Sequence, residues 1–294
     1  MTRLAVVAHS KKRLDGGLPE LRAELASAGY SDVLWYEAPK SRKIPDRAKQ
    51  AIAGGAELVL IWGGDGTVQR CIDALAGSGV AVAILPAGTA NLLARNLEIP
   101  IDLKGALAVG LQGDRRSLDT GTVNGEHFAV MAGVGLDALM IKDADRGLKD
   151  KVGRAAHLWT GAKNLHKGRT KVKVKIDGQE FFKGKSSCIL VGNIEKVLGG
   201  ISFFNGASPD DGLLEVGVIT AKGKGQWTRT MTRVAVGKAS KSPFVSTSRG
   251  KKISVKLDKS LPYELDGGDR PAAKKLRFVV HPSAISVCVP ARTV

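Results

Sequence analysis

The sequence predicts an α/β domain with a parallel sheet over residues 1–118 and a β-rich domain over 119–284. Residues 285–294 are expected to form a terminal strand that returns to the first domain. Three observations lead there. Through the first 118 residues short apolar runs alternate with segments of helical spacing, the pattern of βαβ units. From Arg115 onward short strands take over, punctuated by Asn124-Gly125 and Asp177-Gly178, two-residue signatures of hairpins. Between these, Leu58-Val59-Leu60-Ile61-Trp62 stops at Gly63-Gly64-Asp65-Gly66-Thr67, a buried strand delivering a glycine-rich turn to its carboxyl end.

In the first domain, strands are expected at Leu4–Ala8, Val33–Tyr36, Leu58–Trp62 and Val80–Leu85. The first helix runs from Pro19 to Ala28, with proline early, Leu21 and Leu25 on one face and Gly29 just past its end. Further helices follow at Pro45–Ala53, Thr67–Ala76, Leu92–Leu97 and Leu103–Leu111. In the second domain strands are expected at Ser117–Val123, His127–Met131, Lys171–Ile176, Ser187–Val191, Leu213–Ile219, Ile253–Leu257, Tyr263–Leu265, Arg277–Val280 and Ile285–Val289. One helical stripe, Val152, Ala155, Ala156, Trp159 and Ala162, interrupts them and is expected to be core.

Composition excludes several classes. With 43% hydrophobic and 25% charged residues the chain reads as globular, and no apolar run approaches the ~20 residues of a membrane span. The run Leu4–Ala8 is too short for a signal peptide, so a cytoplasmic protein is expected. Cys71, Cys188 and Cys288 lie far apart, which argues against a zinc site or a disulfide framework. Five scattered histidines argue against a histidine-based active site. The net charge of +17 calls for a polyanionic partner.

In an open parallel sheet, ligands bind outside the carboxyl ends of the strands. Two such ends carry Gly63-Gly64-Asp65-Gly66-Thr67 and Pro86-Ala87-Gly88-Thr89-Ala90-Asn91, loops that combine glycine, a threonine hydroxyl and a short polar side chain. Glycine lets a phosphate approach the main chain, and the helix after the first loop would point its free amides there. A carboxylate repels a phosphate unless a cation or donor intervenes. Asp65 therefore implies a metal-bound nucleotide or a ribose contact, or else caps its own helix. Two such loops on neighbouring strands point to a nucleotide or phosphate site.

Between Glu215 and Asp258 no acidic residue occurs, whereas Lys222, Lys224, Arg229, Arg233 and further basic residues do. Trp227, Met231, Val234 and Ala235 share one helical face there, and Arg229 and Arg233 another. Such a helix suits an anionic membrane surface; the alternative is a solvated basic face with Trp227 in the core. Nucleic acid is not expected, since no recognition motif is present and 5% aromatic content leaves few stacking platforms.

The two loops, together with Asp119-Thr120-Gly121, Ala132-Gly133-Val134-Gly135-Leu136-Asp137-Ala138, Gly199-Gly200, the run Ala207 to Val216 and Leu265-Asp266-Gly267, resemble the diacylglycerol kinase catalytic-domain family in order and spacing. That family includes bacterial diacylglycerol kinase-like lipid kinases and sphingosine kinases. The resemblance implies a fold related to NAD kinases, an α/β domain and an antiparallel β-sandwich with ATP and Mg2+ in the cleft between them. It implies that Gly63 to Thr67 and Gly88, Thr89 and Asn91 hold ATP, that Asp210 and Asp211 belong to a magnesium-binding loop, and that Asp266 is the general base. By residue type alone, Asp210-Asp211-Gly212 and Asp266-Gly267-Gly268 could equally be hairpin turns.

Three positions depart from the family pattern. Gly268 stands where glutamate is usual, Arg70 where the first helix often carries glutamate, and Ala8-His9-Ser10-Lys11-Lys12 where an Asn-Pro turn is common. Ser10 is kept for the nucleotide, and Lys11 or Lys12 adds charge against phosphate. The expected activity is transfer of phosphate from ATP to a lipid hydroxyl by a peripheral protein at an anionic membrane surface, with Asp65 and Asp266 essential and neither needed for folding. A kinase of a soluble substrate, or a nucleotide- and membrane-binding protein without catalysis, are the alternatives. The identity of the lipid and a homodimer stay open.

Overall fold

In the computed structural model, which describes residues 2–135, 169–197 and 201–291, the first unit comprises residues 1–120 and 282–294. Its strands β1 (Leu4–His9), β2 (Leu34–Ala38), β3 (Leu58–Gly63) and β4 (Ala81–Pro86) are parallel, in the order β4-β3-β1-β2. Every residue of β1, β3 and β4 is buried, which is why these strands read as unbroken apolar runs rather than alternating ones. The connecting helices are α1 (Leu18–Ser27), α2 (Ile44–Ala53), α3 (Asp65–Leu75), α4 (Leu92–Asn96) and α5 (Leu103–Gln112). Proline sits in the first turn of α1 and α2, where its missing N–H costs nothing.

The second unit, residues 121–281, is antiparallel. In chain order it holds the end of β5 (Asp114–Val123), then β6 (Glu126–Phe128), β7 (Met131–Gly135), β8 (Thr170–Ile176), β9 (Gln179–Ser186), β10 (Cys188–Gly192), the short pair β11 (Lys196–Val197) and β12 (Ile201–Ser202), and β13 (Leu214–Ile219). Helix α6 (Gly223–Ala235), β14 (Val245–Gly250), β15 (Lys252–Leu265) and β16 (Gly268–Val289) follow. One layer runs β14-β13-β10-β7-β15. In the other, β15 pairs with β8 through Ile253–Leu257 and β8 pairs with β9. The single strand β15 thus serves both layers, passing between them where its register with β16 shifts, from Lys256 to Tyr263. Val172, Val174, Ile253 and Val255 from one layer and Val134, Ile189, Val216 and Val218 from the other fill one core. Among the described residues no helix is long and apolar enough to cross a membrane.

Several elements differ from the sequence expectation. The single strand expected at His127–Met131 is two, β6 and β7, because the amides of Ala129 and Val130 bond to the Asp266 carboxylate instead of continuing a ladder. Strands β9 and β14 were hidden in lysine- and serine-rich sequence, and the two strands expected at 277–280 and 285–289 are parts of β16. The unit boundaries fall at 120/121 and 281/282 rather than 118/119 and 284/285, since β5 and β16 run straight through them. The stripe from Val152 to Ala162 lies outside the described residues, as do Leu136 to Ala138 and Gly199-Gly200 of the motifs.

The end of β16 completes the first sheet: Ser286 and Val287 pair in parallel with Ala81 and Val82 of β4, and Ile285 is buried. Ile285→Ala is therefore expected to lower the unfolding free energy by about 2–5 kcal/mol, as for any core truncation, which urea titration would measure; a loss near zero would mean a terminal strand that does not support the unit.

Candidate active site

In the first unit, three neighbouring parallel strands deliver loops to one edge: β1 leads to Ser10-Lys11-Lys12, β3 to Gly63–Thr67 and β4 to Pro86–Asn91. Asp65 joins the last two. Its Oδ2 accepts the Asn91 amide at 3.0 Å and its Oδ1 the Leu92 amide at 2.5 Å. The carboxylate thus caps α4, a neighbouring helix, rather than α3, whose own N-cap is Gly64. Burial is the largest influence on this carboxyl and raises it above the ordinary carboxylate value, against the lowering effect of the Leu92 and Asn91 amides.

Asn91 is equally committed. In the left-handed region at φ 49°, its Oδ1 accepts the Gly88 amide at 3.0 Å, and its Nδ2 donates to the Pro86 and Gly88 carbonyls at 3.0 Å each. Glycine at 64 is required by protein atoms as well: a Cβ there would lie 2.9 Å from Cα of Gly88. Gly63 packs on Thr67, which is itself buried. The geometry therefore divides the expected nucleotide residues in two. Gly63, Gly64, Asp65, Thr67, Gly88 and Asn91 build and lock the loop pair. Ser10, Lys11 and Thr89 are exposed, and a Cβ on Gly66 would meet nothing within 4 Å. Burial pushes the His9 imidazole below its ordinary value, with Lys12 and Lys11 adding to the effect.

In the second unit, Asp266 occupies the turn between β15 and β16 with φ 41°. Its Oδ1 accepts the amides of Val130 (3.0 Å) and Met131 (2.8 Å), its Oδ2 that of Ala129 (2.8 Å), and its own amide donates to the Met131 carbonyl. The residue is 2% exposed. Beside it, Arg270 forms a two-pronged ion pair with Glu126 and donates to the carbonyls of Gly268 and Asp269. A Cβ at Gly268 would lie 2.8 Å from Arg270 Nη1, so the guanidinium crowds the place where any side chain at 268 would begin. Neither Glu126 nor Arg270 was signalled by the sequence; 144 residues separate them, and each reads alone as a surface charge.

Asp210 accepts the Ser208 hydroxyl, and Asp211 accepts the Leu213 amide at 3.0 Å and lies 3.9 Å from Arg249. Burial raises the nearby Glu215 carboxyl, and the Asp211 charge raises it further against the opposing pull of Arg249. Among the described residues no three His, Cys, Asp or Glu side chains cluster to hold a metal. The membrane assignment needs a correction. Trp227 is 2% exposed and shares the buried face of α6 with Thr230 and Val234, while Ala235 is exposed, so tryptophan belongs to the core. Lys222, Lys224 and Arg229 are exposed and Arg233 is half-buried.

The first unit is thus a parallel α/β sheet whose loops after β3 and β4 are locked together, and the second an antiparallel sandwich with an acidic turn. Residues 5–123 match the family model for the diacylglycerol kinase catalytic domain, and residues 130–289 that for the YegS C-terminal NAD kinase β-sandwich-like domain. The chain belongs to this diacylglycerol kinase-like family of lipid kinases. A Pseudomonas aeruginosa (strain UCBPP-PA14) protein named "Probable lipid kinase YegS-like" is 32% identical over 298 residues, covering 98% of this chain and 95% of its own. The fold is similar to that of a diacylglycerol kinase from Bacillus anthracis str. Sterne, with TM-score 0.71 and 19% identity over 98% of this chain and 96% of the other. It is more distantly similar to an NAD kinase from Archaeoglobus fulgidus in complex with ATP, with TM-score 0.52 and 14% identity over 98% and 93% of the two chains.

Two predictions separate loop building from ligand contact. Gly66→Ala places a methyl in open space and gains helix propensity of up to about 1 kcal/mol, so thermal stability should hold or rise while ATP affinity falls; Gly88→Ala should lower the melting temperature. Equal destabilisation by both would contradict the division. For Asp65, a folded-state pKa above the unfolded one means that the native state binds more protons. The stability that the carboxyl contributes is then greatest below the ordinary range near about pH 4 and is lost as pH rises through the raised value. Relative to Asp65→Asn, the wild-type urea midpoint should fall over that window.

Proposed function

We propose that the protein is an ATP-dependent lipid kinase that transfers the γ-phosphate to a hydroxyl of a membrane lipid such as diacylglycerol at an anionic membrane surface. The observation that carries this reading is the pair of loops after β3 and β4, joined by Asp65 beside the end of β1, in a chain of a lipid-kinase family. The Archaeoglobus NAD kinase described in complex with ATP supports ATP as the donor, and the Bacillus diacylglycerol kinase supports a lipid alcohol as the acceptor.

Phosphoryl transfer requires positioning and charge neutralisation more than covalent chemistry. The first amides of α3, at Gly66, lack partners within the helix and attract phosphate, with Lys11 adding a full charge. Ser10 and Thr89 offer hydroxyls to phosphate or ribose. When bound, magnesium neutralises phosphate charge; Asp210 and Asp211 would hold it, being the oxygen donors that a hard cation takes. Asp266 would accept the proton of the lipid hydroxyl. The three amides on Asp266 fix the position of its carboxylate.

The same burial of Asp266, with Gly268 in place of a carboxylate, favours one second reading: a nucleotide- and membrane-binding protein whose catalysis has been lost. Incubation with γ-labelled ATP, magnesium and vesicles carrying a panel of hydroxyl lipids decides between them. Label in a lipid supports the kinase; ATP bound without any labelled lipid supports the second reading. For the kinase, Asp266→Asn should reduce transfer by about 10²–10⁴-fold, the range for a general base. Asp266→Ala should also lower the melting temperature, because each buried amide left without its acceptor costs about 1–3 kcal/mol.

A further inference from the structure

Strands β9, β8, β15 and β16 lie side by side in the second unit, and their register sets four lysines in one row. Lys183 faces Lys173, Lys173 faces Lys256, and Lys256 faces Lys275. Directly opposed residues share one face of a sheet. The positions between them, including Val174, Val255 and Leu276, belong to the core, so the lysine row lies on the solvent side. Lys171 opposite Lys185 begins a second row.

This arrangement works against the fold. Strands sit about 4.8 Å apart, well inside a Debye length, and like charges directly opposed destabilise a sheet. Glu180 meets Lys173 at 2.6 Å, but among the described residues no ion pair reaches Lys183, Lys256 or Lys275. Lysine on an edge strand discourages pairing with other chains, and that would account for Lys183 and Lys185 on β9, which among the described residues pairs only with β8. It does not account for Lys173 or Lys256 on the interior strands β8 and β15, or for Lys275 on β16, which pairs with both β15 and β5.

Resting on the lipid-kinase reading above, we infer that this lysine-rich sheet face, and not helix α6, docks the protein on an anionic lipid bilayer. The face is four strands wide and more than one lysine deep, a two-dimensional array that matches a plane of headgroup phosphates. A nucleic-acid duplex is curved and is read mainly by arginine forks and groove-entering elements, whereas the row is all lysine. The aromatic residues of β9, Phe181 and Phe182, pack toward the core and offer no stacking platform. Trp227 is buried, and the large apolar side chains exposed among the described residues, Ile101 and Val236, are off these four strands. Docking is therefore electrostatic and reversible, and salt should release it.

The test is co-sedimentation, without ATP, with vesicles of phosphatidylcholine alone and of phosphatidylcholine with phosphatidylglycerol, at low and high salt. Wild type should sediment with the anionic vesicles at low salt only. The double variant Lys183→Glu/Lys256→Glu converts the row to alternating signs, so each opposed pair becomes attractive. Its melting temperature should hold or rise, while its affinity for anionic vesicles drops by about tenfold or more. Its transfer of phosphate to a short-chain, water-soluble diacylglycerol should match wild type. Undiminished vesicle binding by the folded double variant overturns the assignment, as does a wild type that prefers duplex DNA to anionic vesicles at equal salt. Because sedimentation uses no nucleotide, its outcome is independent of whether label ever reaches a lipid, and the labelled-ATP assay judges the kinase reading separately.

Discussion

One carboxylate holds the strand-end loops of the first unit together. Asp65 sits in the first turn of α3 yet gives its oxygens to the amides of Asn91 and Leu92, at the start of α4. A helix of five residues such as α4 cannot sustain itself by its own ladder, so it depends on this borrowed cap. Once the cap is made, the two loops are drawn together until only glycine fits at 64 and 88, and Asn91 fixes the rest of the second loop by three further bonds.

The second unit repeats the device with another aspartate. Asp266 accepts three consecutive amides, from Ala129, Val130 and Met131, and in doing so breaks what would have been one strand into β6 and β7. Asn193 reinforces the junction by donating to the Ala129 carbonyl. In both units an acidic residue in a glycine-containing turn satisfies backbone donors far away in sequence. Buried amides without acceptors are costly, so the motifs carry a structural role alongside any chemical one. Gly268 fits the same picture, with Arg270, held by Glu126, folded back over its carbonyl.

The excess of positive charge is spread differently from what an acid-free stretch implies. Helix α6 turns its tryptophan inward, whereas alternation on β8, with Lys171, Lys173 and Lys175 out and Val172 and Val174 in, repeats across its neighbours. Only the pairing register turns lysines scattered over about a hundred positions into a contiguous face.

Much of the first unit was legible because burial leaves a local signature. Strands covered on both faces become continuous apolar runs, and the helices between them carry apolar residues at helical spacing. The glycine loops, the βαβ order and the family resemblance all follow from residues within a few positions of one another. What the tertiary structure alone decided is which atoms those loop residues touch. The bonds from Asp65 span 26 and 27 residues, those from Asp266 span 135 to 137, and the lysine row joins four strands between 173 and 275. Hydrogen-bond partners and strand register are set by chain closure over such distances, and no local pattern of side chains encodes them.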